Sequence, residues 1–203
     1  MNKIEKFAEN LKEVNSIFKE NDCSFWLAYG TLLGYVREDG FIQHTNDIDI
    51  GVFFKDFNKN IIYDMIQDGW ELIHIIGYPF DSMLISWRKR GERMDMHFFY
   101  DANDSQVYTS NLGMIFTKKN TPLFIKRYDY YHKKFDLKSV SFLDTPFFVP
   151  ENPEFYLEEI YGSNWRMPIE KWDYTSDPVN IVDTGLIIDK NIQRKQTRDW
   201  FKI

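Results

Sequence analysis

The sequence predicts an α+β fold in which a mixed sheet packs on helices, with additional antiparallel strands and C-terminal helices. Three observations carry this. Residues 3–20 repeat apolar side chains at three- and four-residue intervals (Ile4, Phe7, Ala8, Leu11, Val14, Ile17, Phe18), which is the stripe of an amphipathic helix. A strand-like run at Phe25–Tyr29 turns through Gly30-Thr31 into a short helix ending near Arg37. Strand candidates then crowd together over 70–76, 83–89, 93–100, 105–110 and 113–117, and so close a succession favours antiparallel pairing.

The remaining elements follow from local signals. Asn21-Asp22 stops the first helix. Ile48 to Phe54 reads as a strand, and Ile61, Ile62, Met65 and Ile66 as a helix ending near Gly69. The prolines at 122, 146 and 150 suggest irregular connections over 120–150 around one strand at 137–143. Asn152-Pro153 supplies an N-cap and first-turn proline for a helix through Tyr161, with Gly162 at its end. The last 20 residues read as a closing helix or a tail. We expect a single domain over 1–203, with a core at about 22–120 and an accessory part at about 121–203.

Composition narrows the function. With Lys+Arg 25 against Asp+Glu 31 and a net charge of −6, bulk electrostatic attraction to nucleic acid is not expected. One cysteine, Cys23, excludes an internal disulfide and a cysteine-cluster zinc site, and the four histidines (44, 74, 97, 132) are scattered. No apolar run approaches the roughly 18–20 residues that span a bilayer, so no transmembrane segment is expected. A cytoplasmic protein is expected, peripheral at the inner membrane face if its acceptor is lipid-linked.

The most informative string is Asn46-Asp47-Ile48-Asp49-Ile50-Gly51. On a strand, residues two apart share a face, so Asp47 and Asp49 point together while Ile48 and Ile50 enter the core. Two adjacent carboxylates repel unless one takes a proton or a divalent cation sits between them. A third, Asp95, lies in the strand-like Arg93-Met94-Asp95-Met96-His97. If that strand lies beside the first, three carboxylates converge, enough to hold two Mg²⁺ ions about 3.5–4 Å apart for phosphoryl transfer. The plainer alternatives are an ion pair of Asp95 with Arg93 or Arg88, and a partly buried, hydrogen-bonded His97. Upstream, Gly30-Thr31 at a strand-to-helix turn suits a phosphate, and Arg37 can add a bidentate contact.

Taken together, Leu27-Ala28-Tyr29-Gly30-Thr31-Leu32-Leu33-Gly34, then Arg37, Gly40-Phe41-Ile42 and Asp47-Ile48-Asp49-Ile50-Gly51 resemble the LicD/fukutin-related phosphotransferase family. Asp95 and the later Tyr161-Gly162 and Trp165-Arg166-Met167-Pro168 extend the likeness. The resemblance implies a nucleotidyltransferase-type fold and a Mg²⁺-dependent transferase, with Mn²⁺ as a substitute. Such an enzyme moves a substituted phosphate (phosphocholine, ribitol phosphate or glycerol phosphate) from a CDP-linked donor to a sugar hydroxyl of a glycan or lipid-linked glycan, releasing CMP. It further implies that Asp47, Asp49 and Asp95 are the catalytic and metal-holding residues, and that Gly30, Thr31 and Arg37 handle donor phosphates. Where relatives often carry extra acidic residues before the paired aspartates, this chain has His44-Thr45-Asn46, which makes His44 a candidate substrate contact. Two alternatives remain: nucleotidyl transfer from an NTP with release of pyrophosphate, and a non-catalytic binding module of the same fold.

Overall fold

The computed structural model describes residues 1–116, 122–169 and 171–201. Helix α1 (Lys3–Glu20) opens with a capping box: Asn2 accepts the Glu5 amide at 3.0 Å and Glu5 accepts the Asn2 amide at 2.8 Å. Strand β1 is only Trp26–Leu27, because the chain turns at once into α2 (Tyr29–Glu38). The five-residue strand read at Phe25–Tyr29 is thus shorter in fact, and Tyr29, at φ 41°, makes the turn in a left-handed conformation that few tyrosines adopt.

Strand β2 (Asp47–Phe53), helix α3 (Asn60–Gln67), and strands β3 (Glu71–Ile76), β4 (Leu84–Lys89) and β5 (Glu92–Asp101) follow. The next strand, β6 (Gln106–Phe116), is continuous where the sequence suggested two, and residue 117 lies outside the described residues. After it come β7 (Pro122–Lys133), β8 (Leu137–Phe142), β9 (Thr145–Pro150), α4 (Pro153–Tyr161), β10 (Ile181–Asp189) and α5 (Lys190–Phe201). The expectation of irregular connections over 120–150 is overturned here. Pro122 is the first residue of its strand, where a missing N–H costs no ladder bond, and Pro146 and Pro150 lie in β9, which meets β1 only at Phe148. The strand at β10 escaped the sequence reading because Gly185 and a register shift between Asp183 and Ile187 break its alternation.

The ten strands of the described residues join one mixed sheet, along the path β10-β7-β6-β5-β2-β1-β9-β8 with β4 and β3 branching from β5. The pairs β4–β5, β5–β6 and β6–β7 are antiparallel, whereas β2 runs parallel to β5. One face of β2 and β5 is apolar through its middle: Ile48, Ile50, Val52, Met94, Met96 and Phe98 are fully buried, with α1 against both strands and Phe57 against Phe98. The opposite face, toward α2, carries Asp47, Asp49, Arg93, Asp95 and His97. Where the two strands approach β1, Gly51 leaves room for the buried Trp26 indole, and a Cβ there would overlap its ring. We expect Gly51→Ala to destabilise the fold by roughly 3 kcal/mol, read as a lowered urea midpoint; an unchanged midpoint would show that Trp26 can move aside.

Candidate active site

The register of β2 on β5 sets Asp47 opposite Arg93, Asp49 opposite Asp95 and Gly51 opposite His97. Since side chains two apart share a face, Asp47, Asp49, Arg93, Asp95 and His97 all project from the sheet on the same side. The convergence expected of the three aspartates thus arises from parallel pairing of their strands. Asp49, Asp95 and His97 are the tightest group, each offering one ligand atom within 4.8 Å of the others. Asp47 is outside that set of three but close enough for its charge to matter.

Each member is held by a neighbour. The Asp49 carboxylate accepts the Gly30 amide at 3.2 Å on one oxygen and lies 3.2 Å from His97 Nε2 on the other. The Asp49 backbone N–H donates to the Thr31 hydroxyl at 2.8 Å, and the Ala28 amide donates to the Asp49 carbonyl at 3.1 Å. The Gly30-Thr31 turn, read from sequence as a phosphate cradle, therefore grips the strand aspartate, and Thr31 is buried at 2% exposure. Asp95 accepts the Ser86 hydroxyl at 2.6 Å and is forked by Arg93, Nε at 2.8 Å and Nη2 at 2.5 Å. Of the two arginines weighed as ion-pair partners, Arg93 is the one engaged; Arg88 pairs with Glu71 at 3.4 Å.

His97 is the residue that sequence reasoning undervalued. It is hydrogen-bonded, as its plainer reading had it, but buried rather than partly buried; it belongs to the ligand group, with Nε2 3.2 Å from an Asp49 oxygen and Nδ1 buried without a partner. The signal was there in Asp95-Met96-His97, the same two-residue spacing that singled out Asp47 and Asp49.

The charge balance of the cluster is unfavourable. Burial, then the neighbouring charges of Asp49 and Asp95, push the Asp47 carboxyl up from 3.8 to about 7. An acid raised on folding supports the fold while it is protonated and loses that support as pH climbs through its folded value. Asp47→Asn should accordingly leave the metal-free protein's stability near unchanged at pH 4. At pH 8 it should add about 1–3 kcal/mol; equal urea midpoints for the two proteins at pH 8 would contradict it. The donor set fits a divalent cation: two carboxylates and an imidazole, each carboxylate steadied by a hydrogen bond from behind, amid negative charge that the protein does not fully neutralise.

Around this cluster lies a cavity of about 410 Å³ whose walls include Asp47, Asp49, Arg93, Asp95 and His97. A second cavity of about 540 Å³ adjoins it, sharing Gly30, Tyr161 and Trp172 as common walls. Of the predicted substrate contacts, Gly30, Arg37 and His44 line this second chamber and Thr31 does not. Arg37 is held by Glu38 at 2.7 Å. Opposite stand Trp165, Met167 and Pro168, and the Tyr161 and Trp172 rings meet at 4.7 Å.

A mixed sheet with paired strand carboxylates, entered through a strand–glycine–helix turn, is the nucleotidyltransferase type of fold. The solution structure of the antibiotic-resistance factor ANT(2'')-Ia shares it, with a TM-score of 0.50 at 9% identity over 87% of this chain and 80% of that one. The model of the LicD/FKTN/FKRP nucleotidyltransferase domain matches residues 22–152, and the chain belongs to that family. It is 32% identical over 179 residues to the ribitol-5-phosphate transferase FKTN of Mus musculus, covering 88% of this chain and 37% of the relative. Against FKTN of Homo sapiens the identity is 32% over 163 residues, 80% of this chain and 33% of that protein. The chain spans about a third of the length of these curated relatives. Tyr161 and the 165–168 wall lie beyond the residues matched by the family model.

Proposed function

We propose that this chain transfers a substituted phosphate, ribitol phosphate first among the candidates, from a CDP-linked donor to a sugar hydroxyl of a glycan, releasing CMP. The observation that carries the reading is the Asp49, Asp95 and His97 group in the wall of a cavity that adjoins a second one, in a chain related to ribitol-5-phosphate transferases. In the step we envisage, an acceptor oxygen forms a bond to the donor's β-phosphorus as the bond from that phosphorus to the CMP oxygen breaks. The hydroxyl proton passes to a carboxylate on the same face. Asp49, Asp95 and His97, with Asp47 beside them, would hold a divalent ion, Mg²⁺ or Mn²⁺, which would supply Lewis-acid polarisation and charge neutralisation at the leaving group. Gly30 and Thr31 fix Asp49, so their contribution to phosphate handling runs through that carboxylate. Arg37 and His44 offer a cation and a hydrogen-bonding ring to the donor in the second chamber, whose walls include the aromatic rings of Tyr161, Trp165 and Trp172. Among the described residues no helix is long and apolar enough to cross a membrane.

The test is to incubate the pure protein with Mg²⁺, a glycan acceptor, and in separate reactions CDP-ribitol, CDP-choline, CDP-glycerol or an NTP, then identify the released nucleotide. Metal-dependent CMP with a phosphodiester on the glycan supports the proposal. Pyrophosphate from an NTP would replace it with nucleotidyl transfer, and no turnover with any donor would leave a binding module.

A further inference from the structure

Arg93 is the ion-pair partner of Asp95. Its guanidinium covers that carboxylate: Nε reaches one oxygen and Nη2 the other, and the Ser86 hydroxyl takes a further position on the first. A carboxylate offers roughly four acceptor positions, so this one has little left for a cation. Asp95 is also deeply buried, its side chain 8% exposed, while that of Arg93 is 43% exposed and forms part of the cavity wall. Both side chains line the cavity a donor would fill, the arginine far more openly than the carboxylate it forks, with donors to spare on its open side.

A positive charge locked against one ligand of a cation site opposes the cation. It also stands in for it, since Arg93 is opposite Asp47 in the β2–β5 register and faces the charges of Asp47, Asp49 and Asp95. A phosphate anion entering the cavity offers the guanidinium an alternative bidentate partner of equal geometry. Building on the metal-dependent reading above, we propose that Arg93 couples the two binding events: it closes Asp95 to the divalent ion until donor phosphate arrives. Its fork then passes from the carboxylate to phosphate oxygens, and Asp95 becomes free to ligate. Arg93 is thus a donor-phosphate contact as well as a guard on the metal site. The coupling is reciprocal, so the ion and the diphosphate each tighten the other.

The experiment measures Mn²⁺ binding to the intact chain by electron paramagnetic resonance, alone and with CDP, at matched free ion concentrations. Wild-type protein should bind Mn²⁺ weakly alone and at least about tenfold more tightly with CDP. Arg93→Met should bind Mn²⁺ alone about tenfold more tightly than wild type and lose the response to CDP. A residue serving only to brace Asp95 would give the reverse, weaker metal binding on its removal. Arg93→Lys keeps the charge without the fork and serves if Arg93→Met does not fold; it should retain part of the block and bind CDP less well. Unchanged or weakened Mn²⁺ affinity in the folded variants overturns the proposal. Asp49→Asn separates this failure from that of the underlying reading: if it binds Mn²⁺ as wild type does, the metal assignment itself is wrong and the Arg93 inference goes with it.

Discussion

Asp49→Asn is expected to lower donor-dependent CMP release by about 10³-fold or more while leaving the fold intact. Asp49 is the hub of the cluster, taking the Gly30 amide on one oxygen and facing His97 Nε2 with the other. Asparagine keeps the shape and one carbonyl acceptor but removes the charge that a divalent ion needs. The urea midpoint should hold or rise, because one of several crowded carboxylates has gone. Activity within tenfold of wild type would refute its role; loss of activity together with loss of structure would mean that Asp49 serves the fold instead.

The second large effect is on stability and lies on the opposite face of the sheet. Arg127 is buried on β7, forking Asp129 with Nε at 2.7 Å and Nη2 at 2.9 Å and pairing with Asp81 through Nη1. Ser110 donates to Asp129 at 2.6 Å from the strand alongside, and Tyr108 donates to Asp81 at 2.8 Å. Removing the only arginine in this group leaves Asp129, 4% exposed, charged without its counter-ion. Arg127→Met should destabilise by about 3–5 kcal/mol, seen as a lower urea midpoint at neutral pH, and Asp129→Asn in the same chain should recover part of the loss. A shift under about 1 kcal/mol would mean that water reaches Asp129. Since Arg127 and Asp129 fall on the face away from Asp49, Mn²⁺ affinity should not change.

Arg127 and Arg93 form a comparison within one protein. Both are arginines two residues before an aspartate on a strand, each aspartate opposite a serine of the antiparallel neighbour: Ser86 for Asp95, Ser110 for Asp129. The difference is access. The Arg127 side chain is 8% exposed and serves the fold, whereas that of Arg93, at 43%, borders a cavity beside unneutralised carboxylates. From sequence alone Arg-Met-Asp and Arg-Tyr-Asp look alike, and only sheet topology separates them.

That contrast indicates how much of the molecule was legible beforehand. Helix α1 and helix α4 were readable because their stripe and their caps are local signals. The two-residue spacing of Asp47 and Asp49 gave their shared face, and Asp95 joined them once its strand was taken as a neighbour. Strands β7 and β9 were hidden by prolines at positions where the ladder does not need the N–H, and β10 by its irregular register. The second chamber was unreadable in its shape, because it forms only when Tyr161, Trp165, Met167, Pro168 and Trp172 come to lie with Gly30, Arg37 and His44 around one space. Thr31 shows the same limit at the scale of one atom: its hydroxyl reaches a backbone amide 18 residues away in sequence. The functional weight of His97 depended on which strand lay beside it.

Anomalous diffraction from crystals of the intact chain grown with Mn²⁺ and CDP addresses the account at its centre. A peak bonded to Asp49, Asp95 and His97, with Arg93 turned from Asp95 toward a phosphate oxygen, is the predicted result. A peak at other residues only, or no peak with CDP bound at the cluster, would contradict it.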